Sequence, residues 1–315
     1  MNEKTKAYLA ALSFSAIIGF SFLFTKIALG YASPLTNLAH RYTIAALVMV
    51  VLHQTKLIKV SLSRKDIFSI LPIKVSLSRK DIFSILPMSL FYPLFFFIFQ
   101  SFALQYISSS EAGILQALVP IFTLLLASAF LKEKTSLLQK FFLFLSVAGV
   151  VFIFLSKGAN FGTETASFGF FLMLGSVLAN AINNILSKSK GGRYRAMDMT
   201  AVVIFVGFVT FNTLSLTSHY LDGNILAYVA PLGQLPYLLS ILYLGIFASI
   251  VTGSLSIYAI VRLGESTVSV FGNLGTVLTI LAGALILHEP IYSYHVIGAT
   301  LIITGILGMN LMRRK

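Results

Sequence analysis

The stretch FALQYISSSEAGILQALVPIFTLLLASAFLKEK, from Phe102 to Lys134, decides how the chain folds, because a blurred copy of it recurs further on. Displaced by 156 residues, Ala103 falls on Ala259, Ser110 on Ser266, Leu118 on Leu274, Thr123 on Thr279 and Glu133 on Glu289. Beyond the stretch, Gly149 falls on Gly305 in the same register. The second half of the chain repeats the first, and each copy of this stretch holds an apolar run of the length that crosses a bilayer as a helix, about 20 residues.

The whole chain has that character. Of 315 residues 57% are hydrophobic and only 10% are charged, with neither Cys nor Trp, a composition far from that of soluble domains. Runs of spanning length, bounded by charge, Pro or Gly, fall at 7–29, 34–53, 82–106, 110–131, 137–155, 167–187, 197–218, 236–260, 266–287 and 292–311. These predict an all-α polytopic membrane protein with ten transmembrane helices. Five spans per half is an odd number, so the second half enters the membrane upside down relative to the first. The expected architecture is two inverted five-helix repeats, residues 1–160 and 161–315, the arrangement that lets a central site open alternately to either side.

The net charge of +13 follows the topology. With the N-terminus inside, 20 of the 23 Lys and Arg fall in inside segments, only Lys157 falls outside, and Lys26 and Arg41 lie within spans. This bias predicts both termini in the cytoplasm and explains the basic charge without nucleic acid. The first span has no convincing small-residue cleavage site and reads as a retained helix. Without cysteine there is no thiol chemistry, and His40, His53, His219, His288 and His295 show no close ligand spacing, so neither a metal nor a cofactor is expected. No GxxxxGK[ST] phosphate loop is present, which removes the machinery for ATP hydrolysis.

The stretch LYLGIFASIVTGSLSIYAIVRLGESTVSVFGNLGTVLTILAGALILHEPIYSYHVIGATLIITGILGMN, Leu242 to Asn310, resembles the second half of an EamA-type member of the drug/metabolite transporter superfamily. Phe102 to Lys134 resembles the corresponding part of the first half, and span 1, ending FTKIAL, and span 2, opening HRYTIAALV, are similar too. The resemblance implies a ten-span permease. It leaves the substrate open, because this family moves amino acids, amines, sugars, nucleobases and drugs on one scaffold.

Ionisable groups inside a membrane are costly and mark pathways or partners. Arg41 sits about seven residues into span 2, roughly 10 Å below its outer end, too deep for easy snorkelling; a substrate-path role and a structural ion pair are both open. Lys26 is about one turn from the outer end of span 1, within snorkelling reach. Glu111 opens span 4, where it is either a partner for Lys26 or Arg41 or a carboxylate favoured by the helix dipole. His40 can respond to pH near neutrality or simply pack. Asn180, Asn183 and Asn184, at i, i+3 and i+4 of span 6, place three amides on one inward face, for a solute or for neighbouring helices. Gln100, Gln116 before Pro120, Tyr258, and Asn273 between Gly272 and Gly275 complete the candidate pathway. The aromatic run FYPLFFFIF, Phe91 to Phe99, reads as lipid-facing or packed bulk, and Glu133 and Glu289 as turn-forming or capping carboxylates.

The expected function is a secondary-active or facilitative permease that exports or exchanges small polar metabolites, with uptake by the same fold as the first alternative and a polytopic membrane enzyme or lipid-handling protein as the second. The expected setting is a bacterial cytoplasmic membrane, with a small-molecule solute and the bilayer as partners and homodimerisation open. One feature stands apart: IKVSLSRKDIFSILP occurs at 58–72 and again, letter for letter, at 73–87. Each copy carries a Ser-x-x-Asp helix start, but Pro72 and the following cations stop the first from spanning. The identity points to a duplication with no part in transport.

Overall fold

The structure is a computed structural model; it describes residues 3–55, 86–130, 136–158, 164–190, 196–263 and 265–312. The first copy of the doubled segment, most of the second, and Glu133 lie outside the described residues.

Among the described residues helical elements fall on each of the spans of the sequence reading. They are α1 (Glu3–Leu29), α2 (Pro34–Gln54), α3 (Leu86–Tyr106), α4 (Ser109–Phe130), α5 (Leu137–Gly158), α6 (Glu164–Lys190), α7 (Ala196–Leu221), α8 (Leu235–Val251 continued by Thr252–Leu263), α9 (Glu265–Ile286) and α10 (Ser293–Met312). Among the described residues α1 to α7 are each long and apolar enough to cross a bilayer, and α9 and α10 carry shorter apolar stretches. Ahead of α8, the turns Leu226–Val229 and Ala230–Gly233 run at 94° to it. The protein is an all-helical, multi-pass membrane protein.

Several starts and breaks follow from local chemistry. Ser33 caps α2, its Oγ accepting from Thr36 N at 3.3 Å, with Pro34 in the first turn where no donor is needed. Ser108 and Glu111 form a reciprocal capping box at the start of α4. That helix is interrupted between Gln116 and Val119, since Pro120 has no N–H to give the Gln116 carbonyl. In α3, Tyr92 leaves helical geometry just before Pro93, so its first turns are wider than an α-helix.

Packing follows the repeat. With α1 equivalent to α6, α2 to α7, and so on, the contacts of α1 with α8 and α9 map onto those of α6 with α3 and α4. The contacts α2 with α7, α4 with α9 and α5 with α10 map onto themselves. The helix pairing of one half is thus repeated in the other. Small residues let the backbones close up where the halves meet: a Cβ on Gly19 of α1 would stand 2.7 Å from Gly275 O of α9, and one on Gly149 of α5 would stand 2.8 Å from Gly298 O of α10. Hydroxyls bridge the same seams, Thr279 Oγ1 donating to Gly19 O at 2.9 Å and Ser146 Oγ to Ile302 O at 3.2 Å.

The bundle has two ends. Glu3 of α1 meets Arg262 of α8 at the near end. At the far end Lys26 reaches the C-terminal carbonyls of α3, and Glu289, between α9 and α10, reaches the start of α4. Large apolar side chains such as Phe130, Leu137 and Phe144 stay exposed around the bundle, a surface that suits hydrocarbon rather than water.

Candidate functional site

Two cavities are walled by helices from both halves. The central one, about 290 Å³, is walled by α1, α4, α6 and α9, a set the repeat exchanges within itself. Phe14, Ile18 and Phe22 line one side; Gln116 and Asn180 bring amides, and Thr276 and Thr279 bring hydroxyls. The α4 break opens onto it, with Gln116, Ala117, Val119 and Pro120 all in the wall. Gln116 Oε1 is buried without a hydrogen-bond partner among the described residues, an acceptor that a buried site does not leave idle without cost.

The second cavity, about 240 Å³, sits towards the near end. It is walled by α2, α3, α7 and α8, again a set that the repeat exchanges within itself, with Asn183 added from α6. Its polar lining is Tyr42, Tyr92, Asn183, Thr200, Ser249 and Thr252. Arg41 is anchored to this wall. The side chain is 4% exposed, Nε donates to Ser249 Oγ at 3.0 Å, and the guanidinium carbon lies 4.1 Å from the Phe97 ring centroid. Ser249 in turn donates to Leu244 O at 2.9 Å, which fixes its hydroxyl so that a lone pair meets Arg41. The guanidinium carbon also lies 5.9 Å from the Tyr42 ring centroid.

Above this cavity the far end is sealed by polar side chains that satisfy one another. His40 Nδ1 and Tyr237 OH are 2.8 Å apart, and the imidazole stands edge-on to Tyr228 at 4.6 Å. Thr36 Oγ1 binds Ser215 Oγ at 3.0 Å and His219 Nε2 at 2.9 Å. Asn212 Nδ2 donates to Thr43 Oγ1 at 3.0 Å, while Tyr228 OH donates to Asn212 Oδ1. The bent segment before α8 supplies Tyr228, and the start of α8 supplies Tyr237, so the 94° turn is what closes this end. In this far-end part of α2 the Asn37 amide and His40 Nε2 are buried without a hydrogen-bond partner among the described residues.

The sequence candidates therefore part company. Gln116 and Asn180 meet in the central cavity, and Asn183 lines the near cavity next to the Arg41 anchor. Asn184, third of the amide triad, is exposed and donates to Thr123 Oγ1 of α4 at 3.4 Å. Gln100 is buried on α3. Lys26 Nζ donates to Leu104 O and, at 2.8 Å, to Ile107 O, the placement the α3 dipole favours. Glu111 keeps its capping role and also meets His295 Nε2 at 3.4 Å. Tyr258 is at the near-end surface, its OH donating to Glu3 Oε2 at 3.2 Å under Arg262. Asn273 is on α9, and its side chain lies outside the described ones.

Residues that the sequence reading passed over matter as much. The aromatic run is not only bulk: Tyr92 lines the near cavity and Phe97 stacks on Arg41. Glu289 accepts from the amides and hydroxyls of both Ser109 and Ser110 at 2.7 to 3.0 Å, capping α4 from the other half of the chain. Its match to Glu133 under the repeat was the available signal; Ser249 and His295 carried none.

Helices in two repeated halves enclosing amide-lined cavities are the build of a membrane transporter, and the comparisons agree. The chain belongs to the EamA-like transporter family, whose model matches twice, over residues 5–155 and 167–311. It is 41% identical over 315 residues to the "Uncharacterized transporter YcxC" of Bacillus subtilis (strain 168), spanning 100% of this chain and 96% of that one. It is 26% identical over 311 residues to YvbV of the same organism, spanning 98% and 92%, and 30% identical over 210 residues to an Archaeoglobus fulgidus transporter, spanning 66% and 70%. A crystal structure of a protein sharing 19% identity superposes with a TM-score of 0.62 over 99% of both chains, a likeness of fold.

Proposed function

We propose that the protein is a permease that exports or exchanges small polar metabolites across a bacterial cytoplasmic membrane by alternating access. The observation that carries this reading is that both cavities are walled by helices the repeat exchanges, so one rocking motion of the halves can close them to one side and open them to the other. The linings favour a small polar solute: amides and hydroxyls set in aromatic and aliphatic walls supply orientation without binding too tightly to release. Gln116, Asn180 and Asn183 are the pathway amides and Arg41 the pathway cation. Lys26, Glu111, Asn184 and Tyr258 hold helices together beside it, and His40 belongs to the far-end seal.

The near end faces the cytoplasm in this reading, which puts both termini and most of the Lys and Arg on the inside. The halves divide at about residue 160, and one chain walls both cavities, so transport needs no second copy. Uptake and efflux of a panel of amino acids, amines and nucleosides, measured in vesicles with and without the protein, tests the reading. Saturable movement of at least one solute is expected; lipid turnover with no solute movement would overturn it.

A further inference from the structure

The reading above leaves the solute's chemistry open, and Arg41 narrows it. A buried guanidinium in a membrane interior needs an anion or a dense set of acceptors. Here the Ser249 hydroxyl and the faces of Phe97 and, more distantly, Tyr42 are what it meets, and among the described residues no carboxylate lies within 4.0 Å of it. The carboxylates whose side chains are described are engaged elsewhere. Glu3 pairs with Lys6 and Arg262 at the near-end surface, Asp222 is exposed and accepts from Ser218 at 3.5 Å, Glu289 caps α4, and Glu111 meets its own helix start and His295.

Ser249 links the cation to a space, since the hydroxyl that orients Arg41 is itself part of the wall of the near cavity. Tyr42 and Tyr92 border the same space, and with Asn183 and Thr252 they offer donors and acceptors for the rest of a solute. Arginine presents a flat fork suited to a planar oxyanion with two oxygens. Its single charge is balanced by a monoanion, whereas a phosphate dianion would leave a net negative charge among apolar walls.

We infer that the near cavity is a carboxylate site, in which Arg41, steered by Ser249 and Phe97, neutralises the single carboxylate of the transported solute. The inference rests on the permease reading and adds the substrate class to it. A free amine of the same skeleton lacks the group that Arg41 needs and meets a positive charge instead.

The test is uptake into proteoliposomes of a panel of L-amino acids, each matched with the amine left when its carboxylate is removed, and of O-phosphoethanolamine beside serine and ethanolamine. The expected result is that at least one amino acid moves saturably and at least tenfold faster than its amine. Arg41→Gln and the charge-conserving Arg41→Lys should each lower that rate at least tenfold in protein that elutes as the parent does. The wild-type comparison stands even if a variant fails to fold. Amines moving as fast as their acids, O-phosphoethanolamine moving alone, or Arg41→Gln carrying an acid at the parent rate would overturn the carboxylate site and leave the permease. No movement of any solute would overturn both.

Discussion

The two ends of the bundle use similar residues to opposite effect. At the far end, Thr36, His40, Thr43, Asn212, Ser215, His219, Tyr228 and Tyr237 come from α2, α7, the bent segment and α8, and hydrogen-bond to one another. Further along the same helices Tyr42, Thr200, Ser249 and Thr252 line a cavity instead. The difference is set by geometry more than composition. The 94° turn before α8 folds Tyr228 and Tyr237 over α2, while at the depth of the cavity α8 is widened, with hydrogen bonds such as Ser249 Oγ to Leu244 O spanning five residues. Polar side chains in a membrane are thus a seal where they satisfy each other and a pathway where they do not.

That contrast can be broken from either end. The largest effect is expected from filling the near cavity. Gly253 lines it, and a Cβ there would meet nothing closer than Thr200 Oγ1 at 3.9 Å, so Gly253→Phe puts a ring into the space without backbone strain. Transport should fall at least tenfold while thermal stability in detergent stays within about 1 kcal/mol of the parent, since a helical glycine is no asset to begin with; undiminished transport would remove the cavity from the pathway. Next, Glu289→Gln weakens the cap that holds α4 to the opposite half. A loss of about 1 to 2 kcal/mol is expected, in line with the removal of a helix cap, read as a lower melting temperature with the cavities untouched.

A smaller change is expected from Tyr237→Phe, which takes the hydroxyl from His40 at a net cost of about 1 kcal/mol. It should loosen the seal rather than the fold. The readout is the labelling rate of Asn37→Cys, a buried position within that seal, one turn from His40, by a membrane-impermeant maleimide added at the far side; a rate no faster than in the Tyr237 background would mean that the hydrogen bond does not hold the end closed. The smallest effect is expected from deleting residues 58–72, which leaves an intact Ser-x-x-Asp start ahead of α3; transport and insertion equal to the parent are expected.

Much of this was legible in the sequence, for physical reasons. Hydrocarbon demands long apolar runs and short basic inside loops, and both are one-dimensional signals, so ten spans and two repeats could be read directly. The amides Asn180 and Asn183 were legible too, because helical spacing fixes the face they share. Which cavity each would meet was not, since that depends on neighbouring helices brought together by the fold. Ser249 is one serine among many, and its importance arises only where α8 widens opposite Arg41. Glu289 was legible as a turn-forming or capping carboxylate, but not which helix it caps, because its four hydrogen bonds to Ser109 and Ser110 join positions 179 and 180 apart in the chain. The broken helix at 226–233 falls between the runs 197–218 and 236–260, where Pro231, Gly233 and Pro236 hide a short helix behind breaker residues.

The central claim is that a pathway runs between the two halves and opens alternately to the two sides. The chain has no native cysteine, so a single Asn183→Cys in the near cavity can be probed without background. In oriented membrane vesicles, an impermeant maleimide should label it rapidly from the near side and more slowly from the far side, with a transported solute changing the ratio of the two rates. Labelling from one side alone under every condition, or from neither, would contradict the account.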